Sequence, residues 1–247
     1  MKNTTEEHTK ARAVYYEALK LLLENEVPFM VGGGFAFFHY AGVFRDTKDL
    51  DIFCKPGEYA AICKLLEKHG YTVELTDARW LAKLYKGEYY IDIIFNSTNG
   101  ICTVTDTWYA HAQQGSFDDL TVPIIPAEEL IWGKIYVQNR ERFDGADINH
   151  LMLRYGRQLD WKRLAGYFDQ HWHLLLSQLL SFQFIYPADY ADIIPRWLFD
   201  ELIQRAQQQY DMPASQNKVC LGPLIDQTQY QTDIKDWDYK VTTLNTV

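Results

Sequence analysis

Two acidic residues stand at alternate positions of an apolar, strand-like run, and they constrain the fold around them more than any other feature. The run reads RDTKDLDIF over residues 45–53 and contains Asp49 and Asp51. Alternate residues of a strand point to the same face of a sheet, so the two carboxylates lie side by side. Like charges at that spacing repel, and burying them without a partner is costly. The pattern predicts a cation beside them, either a neighbouring basic side chain (Arg45 or Lys48) or a magnesium ion.

A glycine turn precedes this strand. The segment VGGG places Gly32, Gly33 and Gly34 between a short strand and a helix. Glycine lets a ligand approach the backbone closely, and the helix that follows offers free N–H groups to a phosphate. Close packing of the helix on the strand explains such glycines equally well. The three glycines are therefore nucleotide-binding candidates with a structural alternative.

A third acid occupies an unusual place further along the chain. Asp92 lies in YYIDIIFN, where its neighbours are aromatic or branched apolar residues. A buried aspartate requires a cation or strong hydrogen-bond donors. Two acids on one strand and a third on a nearby strand form the layout that two metal ions need for an in-line displacement at phosphorus. Asp49, Asp51 and Asp92 are accordingly the predicted catalytic and metal-binding residues.

Helix and strand signals predict two parts and a tail. Strands and helices alternate over residues 1–125, which favours an α/β (α+β) core with a small mixed β-sheet flanked by helices. Helical patterns dominate residues 126–212, including one long helical stretch over residues 160–186. Residues 213–247 form a polar tail that is either packed on the body or flexible.

Composition limits the cellular setting and the partners. The net charge of −9 argues against broad, non-specific nucleic-acid binding but leaves room for a local basic groove. Four scattered cysteines predict reduced thiols and no zinc site. The polar amino terminus lacks a signal-like apolar segment, and the most apolar stretch is too short to span a bilayer. We therefore expect a cytoplasmic protein without a membrane partner, and the sequence gives no signal for its oligomeric state.

The ordered motifs resemble the nucleotidyltransferase superfamily of the DNA polymerase β type. VGGGFAFFHYAGVFRDTKDLDIF followed by YIDIIF is similar to the family pattern of a strand, a Gly-Gly/Ser turn, a helix, Asp-x-Asp/Glu and a later carboxylate. Within the superfamily, the resemblance is to small bacterial members such as antibiotic nucleotidyltransferases and AbiEii-type toxins. It spans roughly residues 27–152, although the gap between glycines and acids is longer than in compact members.

The resemblance implies a role for each matched residue. Gly33 and Gly34 would hold the triphosphate of an NTP. Asp49 and Asp51 would bind magnesium, with two ions in the complete site. Asp92 would bind the catalytic metal and help to deprotonate the acceptor hydroxyl.

A second likeness follows the core. IPAEELIWGKIYVQNRERFDGADINHL is similar to the helical segment that comes next in these proteins. It implies that Lys134 approaches the triphosphate. Arg142, Asp144 and Asp147 would brace the helices, with a role in the site as the alternative.

Arg45 and Lys48 flank the acid pair. They are nucleotide-binding candidates because a cation there can neutralise phosphate charge in the transition state. Pairing with Asp46 or with the metal-site acids is the alternative. Lys48 alternates with Asp49 along the strand, so its side chain is predicted to point away from the site.

The predicted function is a magnesium-dependent transfer of an NMP from an NTP, such as ATP, to a hydroxyl group, with release of pyrophosphate. A small molecule or a protein is the expected acceptor. One alternative is toxin-like transfer to tRNA ends, which the acidic charge does not favour. The other is a non-catalytic nucleotide-binding or interaction module. The motifs identify neither the base of the NTP nor the acceptor.

Overall fold

The computed structural model describes residues 2–44 and 49–241, with side chains from residue 9 onward. The predicted nucleotide-binding residues Arg45 and Lys48 lie outside the described residues. The chain divides into two compact units after Pro126.

The first unit alternates helices and strands. Its elements are α1 (Lys2–Glu24), β1 (Met30–Val31), α2 (Gly33–Ala41), β2 (Asp49–Phe53), α3 (Tyr59–Glu67), β3 (Thr72–Asp77), β4 (Leu81–Lys86), β5 (Tyr89–Ile94), α4 (Asp106–His111), β6 (Gln113–Phe117) and β7 (Leu120–Ile124).

The strands of this unit form one seven-stranded mixed sheet in the order β3-β4-β5-β2-β1-β7-β6. Strand β2 pairs in parallel with β5, and β1 pairs in parallel with β7, whereas the remaining neighbours are antiparallel. The predicted α/β class with a mixed sheet and a helical carboxy-terminal region is confirmed. The polar sequence QQGSF forms strand β6 at one edge of the sheet, where it pairs with β7 in a hairpin.

Burial alternates along the two central strands. On β2, Leu50 and Ile52 are buried, whereas the acids on either side of Leu50 are partly exposed. On β5, Ile91 and Ile93 are completely buried on the corresponding face. Because one face of each strand packs into the core, the opposite face is free to carry polar groups. The sheet therefore presents its acids on the face opposite the buried isoleucines.

The second unit is mainly helical. Its elements are α5 (Ala127–Ile135), α6 (Gly145–Tyr155), a 3₁₀ turn (Gly156–Gln158), α7 (Trp161–Tyr167), α8 (Trp172–Ile185), α9 (Tyr190–Ile193) and α10 (Arg196–Asp211), then β8 (Val219–Cys220), a 3₁₀ turn (Gly222–Leu224), α11 (Gln231–Lys235) and β9 (Lys240–Val241).

Two parts of this unit differ from the expectation of long helices. The stretch over residues 160–186 is divided by a turn at residues 168–171, which leaves the side chain of Phe168 completely buried. Asp160 caps the first of the two helices, α7, by accepting hydrogen bonds from the main-chain N–H groups of Lys162 and Arg163. In the tail, β8 and β9 pair in parallel.

The state of the cysteines and the apolar character of the helices are visible in the described residues. All four cysteines are free thiols, as their spacing predicted. Among the described residues, no helix combines the length and the apolar character that a bilayer crossing requires.

Candidate active site

Neighbouring strands bring the three predicted acids together. In the parallel pairing of β2 with β5, Asp51 lies directly opposite Asp92. Asp49 is two residues before Asp51 on the same strand, so its side chain points to the same face. Neighbouring strands are about 4.8 Å apart, so Asp51 and Asp92 are separated by a single strand spacing. Residues that are distant along the chain thus form one acidic patch.

A lysine that the motifs did not indicate contacts this patch. Lys83 on β4 lies opposite Asp92 in the antiparallel β4–β5 pairing. Its Nζ atom is 2.6 Å from Asp92 Oδ1, and the two side chains are only 21% and 14% exposed. Burial raises the pKa of Asp92 above its usual value, and Lys83 opposes that rise. Burial tends to lower the pKa of Lys83, but the hydrogen bond and charge of Asp92 raise it overall.

Two tyrosines surround the other end of the acid pair. The hydroxyl of Tyr90 lies 3.5 Å from Asp49 Oδ2, a long contact, and the Lys83 ammonium sits 4.2 Å from the centroid of the Tyr90 ring. Tyr15 on α1 is buried, and its pKa is raised first by burial and then by the negative charge of Asp49. Asp49 is thus bordered by phenol groups that remain protonated at neutral pH.

The glycine turn packs directly on the acid-bearing strand. Gly33 has φ of +51°, and a Cβ atom added to it would lie 1.6 Å from Asp51 Oδ2. The N–H group of Gly32 donates to the main-chain oxygen of Asp51 at 2.9 Å, so it is engaged within the sheet. A Cβ atom on Gly32 would meet the ring of Phe53. Close packing therefore accounts for Gly32 and Gly33, and their contact with a phosphate stays a prediction.

A cleft of about 690 Å³ opens beside Asp49 and Asp51. Gly34, at the start of α2, also contributes to its wall. Five other lining residues carry phenyl or phenol rings, and they come from α1, α2, the segment after α2, and β6: Tyr15, Phe35, Phe38, Phe44 and Phe117. Sequence motifs did not indicate this wall, because its members are dispersed over more than a hundred residues and only folding brings them together.

The one arginine among the described lining residues of this cleft is neutralised by an ion pair. Arg12 Nη2 lies 2.7 Å from Asp118 Oδ1, and its guanidinium group also covers the ring of Phe117 at 4.6 Å. Phe117 in turn contacts Phe35 with their centroids 5.4 Å apart. The described wall therefore combines apolar ring faces with the carboxylates of the acidic patch.

In the second unit, Lys134 is held in a buried ion-pair cluster. Its Nζ atom lies 2.8 Å from Asp144 Oδ2 and 2.7 Å from Asp147 Oδ2, and the three side chains are 7–11% exposed. Arg142 also binds Asp144, at 2.9 Å. Burial alone would raise the pKa of Asp144, but Arg142 and Lys134 lower it overall. The contacts link α5 to α6, as expected of a brace, and the approach of Lys134 to a triphosphate stays a prediction.

Replacing Lys134 with methionine is expected to reduce the free energy of unfolding by about 3–5 kcal/mol, because it leaves two buried carboxylates without their shared cation. Urea denaturation at neutral pH measures the change. Lys20→Met is the control, since the Lys20 side chain is 51% exposed and lies 3.7 Å from Glu24. Equal effects of the two substitutions would contradict a stabilising cluster at Lys134.

The ligand chemistry of the acidic patch suits a hard divalent cation. Carboxylate oxygens are the side-chain ligands that magnesium prefers, together with water and substrate phosphates. Within the described parts of the chain, however, no three histidine, cysteine, aspartate or glutamate side chains converge in a geometry ready for a metal ion. The carboxylate of Asp92 is instead paired with Lys83. The residues present fit magnesium, provided that the ion pair at Asp92 opens.

One protein-family model matches part of this chain. A family model described as aminoglycoside-2''-adenylyltransferase matches residues 15–131, which include β2, β5 and the glycine turn. None of the curated protein sequences is similar enough to this chain to count as a relative.

Several solved structures are similar to this chain at low identity. The lincosamide antibiotic adenylyltransferase LnuA, with lincomycin bound, is 23% identical over 56% of this chain and 93% of its own, with a TM-score of 0.41. The antibiotic-resistance factor ANT(2'')-Ia is 17% identical over 68% of this chain and 95% of its own, with a TM-score of 0.48. JHP933 from Helicobacter pylori is 12% identical over 82% and 96%, with a TM-score of 0.42.

Proposed function

We propose that this chain is a nucleotidyltransferase that transfers an NMP from an NTP to a hydroxyl group of a small molecule, with magnesium held by the acidic patch; the family model that matches residues 15–131 supports this proposal. The observation that carries the proposal is the register of β2 and β5, which sets Asp51 opposite Asp92 with Asp49 on the same face. The description of the matched family, an adenylyltransferase, supports ATP as the NTP.

The reaction forms one P–O bond and breaks another. The acceptor oxygen attacks the α-phosphorus, the bond to the β-phosphate oxygen breaks, and pyrophosphate leaves with that electron pair. Asp49, Asp51 and Asp92 would hold the metal, and Asp92 would also accept the proton of the attacking hydroxyl. Bound magnesium would supply Lewis-acid polarisation of the phosphate and neutralise charge on the leaving group. The turn at Gly33 and Gly34 orients the triphosphate through main-chain N–H groups.

The cleft supports a small molecule as the acceptor. Its volume of about 690 Å³ lies within the range of small-molecule sites, roughly 300–1,000 Å³. Its described walls offer aromatic faces, and the arginine among its described lining residues is already paired with Asp118. A phosphate backbone requires several free cations, and the chain carries a net charge of −9. These features favour a hydroxyl compound with an apolar face over an RNA end.

Transfer of label from each α-labelled NTP tests the proposal. The purified protein is incubated with magnesium and with the small-molecule, protein and RNA fractions of a cell extract, beside an Asp51→Asn variant. Label in a small-molecule product, formed by the unmodified protein alone, is the expected result. Label in RNA would instead favour the toxin-like alternative. NTP binding without transfer to any fraction would favour the non-catalytic module.

Removing the Phe38 ring is expected to raise the KM for the acceptor while leaving the KM for the NTP unchanged. Phe38 lines the cleft and is 47% exposed, so truncation costs little folding stability. Loss of one aromatic contact is worth about 0.5–1.5 kcal/mol, so Phe38→Ala should raise the acceptor KM about 2- to 12-fold. Phe184→Ala is the matched control, since Phe184 is 86% exposed on α8 in the other unit. Steady-state kinetics with both substrates varied separates these outcomes.

A further inference from the structure

Lys83 forms an ion pair with Asp92, the carboxylate that the proposed reaction needs as a ligand of a metal ion. Its ammonium is 2.6 Å from Asp92 Oδ1, and β4 and β5 hold the two residues opposite each other in register. Both side chains are largely shielded from water, so the pair is stronger than an exposed ion pair. Asp92 is therefore neutralised from within the sheet.

An ammonium group and a magnesium ion compete for the same carboxylate. Magnesium binds oxygen at about 2.0–2.1 Å and accepts little distortion of its octahedral geometry. The Lys83 ammonium, within hydrogen-bonding distance of Asp92, would repel a magnesium ion at the same carboxylate, and little water lies there to screen the repulsion. Binding of the metal at Asp92 consequently requires the Lys83 ammonium to leave that oxygen.

We propose that Lys83 is a built-in counter-ion of the site. Its ammonium group neutralises Asp92 until an NTP binds, and then it moves from Asp92 to form an ion pair with a phosphate oxygen of the NTP. The inference rests on the proposed function, because it assigns the NTP as the group that releases Lys83. Lysine suits this exchange, since its flexible stem carries a compact charge that binds carboxylate or phosphate. The exchange makes metal binding at Asp92 dependent on the nucleotide.

A purely structural lysine would behave differently. The Lys83 ammonium also covers the ring of Tyr90 at 4.2 Å, so its removal would cost packing as well as charge. If packing were its whole role, its replacement would lower the stability and leave the affinity for a divalent metal unchanged. Metal affinity without nucleotide therefore distinguishes the two roles.

Titration with Mn²⁺, followed by electron paramagnetic resonance, provides this measurement on the full chain. Without nucleotide, Lys83→Met is expected to bind Mn²⁺ about tenfold more tightly than the unmodified protein, because the site gains one net negative charge. Lys86→Met is the matched control, since Lys86 lies on the same strand but pairs with Glu17. Lys83→Gln removes the same charge with a polar side chain and serves if the methionine variant does not fold.

A non-hydrolysable NTP analogue completes the experiment. In the unmodified protein the analogue should raise the affinity for Mn²⁺ strongly, and in Lys83→Met or Lys83→Gln this gain should be about tenfold smaller. Unchanged or weaker Mn²⁺ binding by both folded variants without nucleotide would overturn the inference. Failure of the proposed transferase function is distinguishable, because it would appear as absent label transfer while the difference in Mn²⁺ affinity persists.

Discussion

Replacing Asp51 with asparagine is expected to lower the rate of NMP transfer by about three orders of magnitude or more, the loss of several kcal/mol of transition-state stabilisation. Asp51 lies opposite Asp92 in the sheet and packs directly against Gly33. It is therefore adjacent both to another proposed metal ligand and to the glycine turn that is proposed to bind the triphosphate. Asparagine keeps the shape of the side chain but removes its charge. The fold should therefore persist while the affinity for a divalent cation falls.

The measurement is label transfer at saturating NTP, with circular dichroism as the check of folding. Asp77→Asn is the control, because Asp77 is also an aspartate on the sheet, on β3, and pairs with Arg79 away from the acidic patch. We expect this control to keep its activity within about twofold, as is usual for surface substitutions. Transfer by Asp51→Asn at a tenth of the original rate or faster would contradict the proposed role.

Replacing Gly33 with alanine is also expected to lower the rate of NMP transfer, because the new side chain would collide with Asp51. The new Cβ atom would lie 1.6 Å from Asp51 Oδ2, so either the carboxylate or the turn must move. A displacement of about 1 Å in a reacting geometry costs about a hundredfold in rate. The positive φ of +51° adds conformational strain of about 1–2 kcal/mol.

Gly70→Ala separates the strain from the collision. Gly70 lies three residues after α3 with φ of +84°, a Cβ atom there has no neighbour within 4 Å, and the residue is not part of the described cleft wall. Both variants should lose similar stability through strain in thermal denaturation, and only Gly33→Ala should lose the affinity for Mn²⁺–NTP and the transfer of label. Parallel losses of activity in the two variants would contradict the close packing of Gly33 on Asp51.

The sequence predicted those parts of the fold that depend on local alternation. Leu50 and Ile52 are buried and alternate with the partly exposed Asp49, Asp51 and Phe53, which follows the period of two that marks a half-buried strand. The sequence does not predict strand β6, because QQGSF has neither alternation nor branched residues. Pairing with β7 overrides this weak strand propensity. Periodicity predicts a continuous helical stretch over residues 160–186, because it does not reveal a turn that buries an aromatic side chain such as Phe168.

The site was predictable in its acids but not in its surroundings. Asp49, Asp51 and Asp92 stood out because a charge within an apolar strand is unusual. Lys83 did not, because a lysine in an amphipathic strand is the usual solvent-facing residue. The pairing of Lys83 with Asp92 could nevertheless have been predicted from the hairpin register, since a two-residue turn after Lys86 places Lys83 opposite Asp92. The aromatic cleft carried no comparable signal, because its wall depends on tertiary packing.

The hairpin that joins β4 to β5 also affects the order in which charges meet during folding. Lys83 and Asp92 are nine residues apart, so a short loop closure is enough to pair them. The contact between β2 and β5 spans about forty residues and closes a much longer loop. Local contacts form at lower entropic cost, which favours an Asp92 that already has its counter-charge when the strand bearing Asp49 and Asp51 docks. The topology thus lets a sheet with three neighbouring carboxylates assemble without bringing three uncompensated charges together.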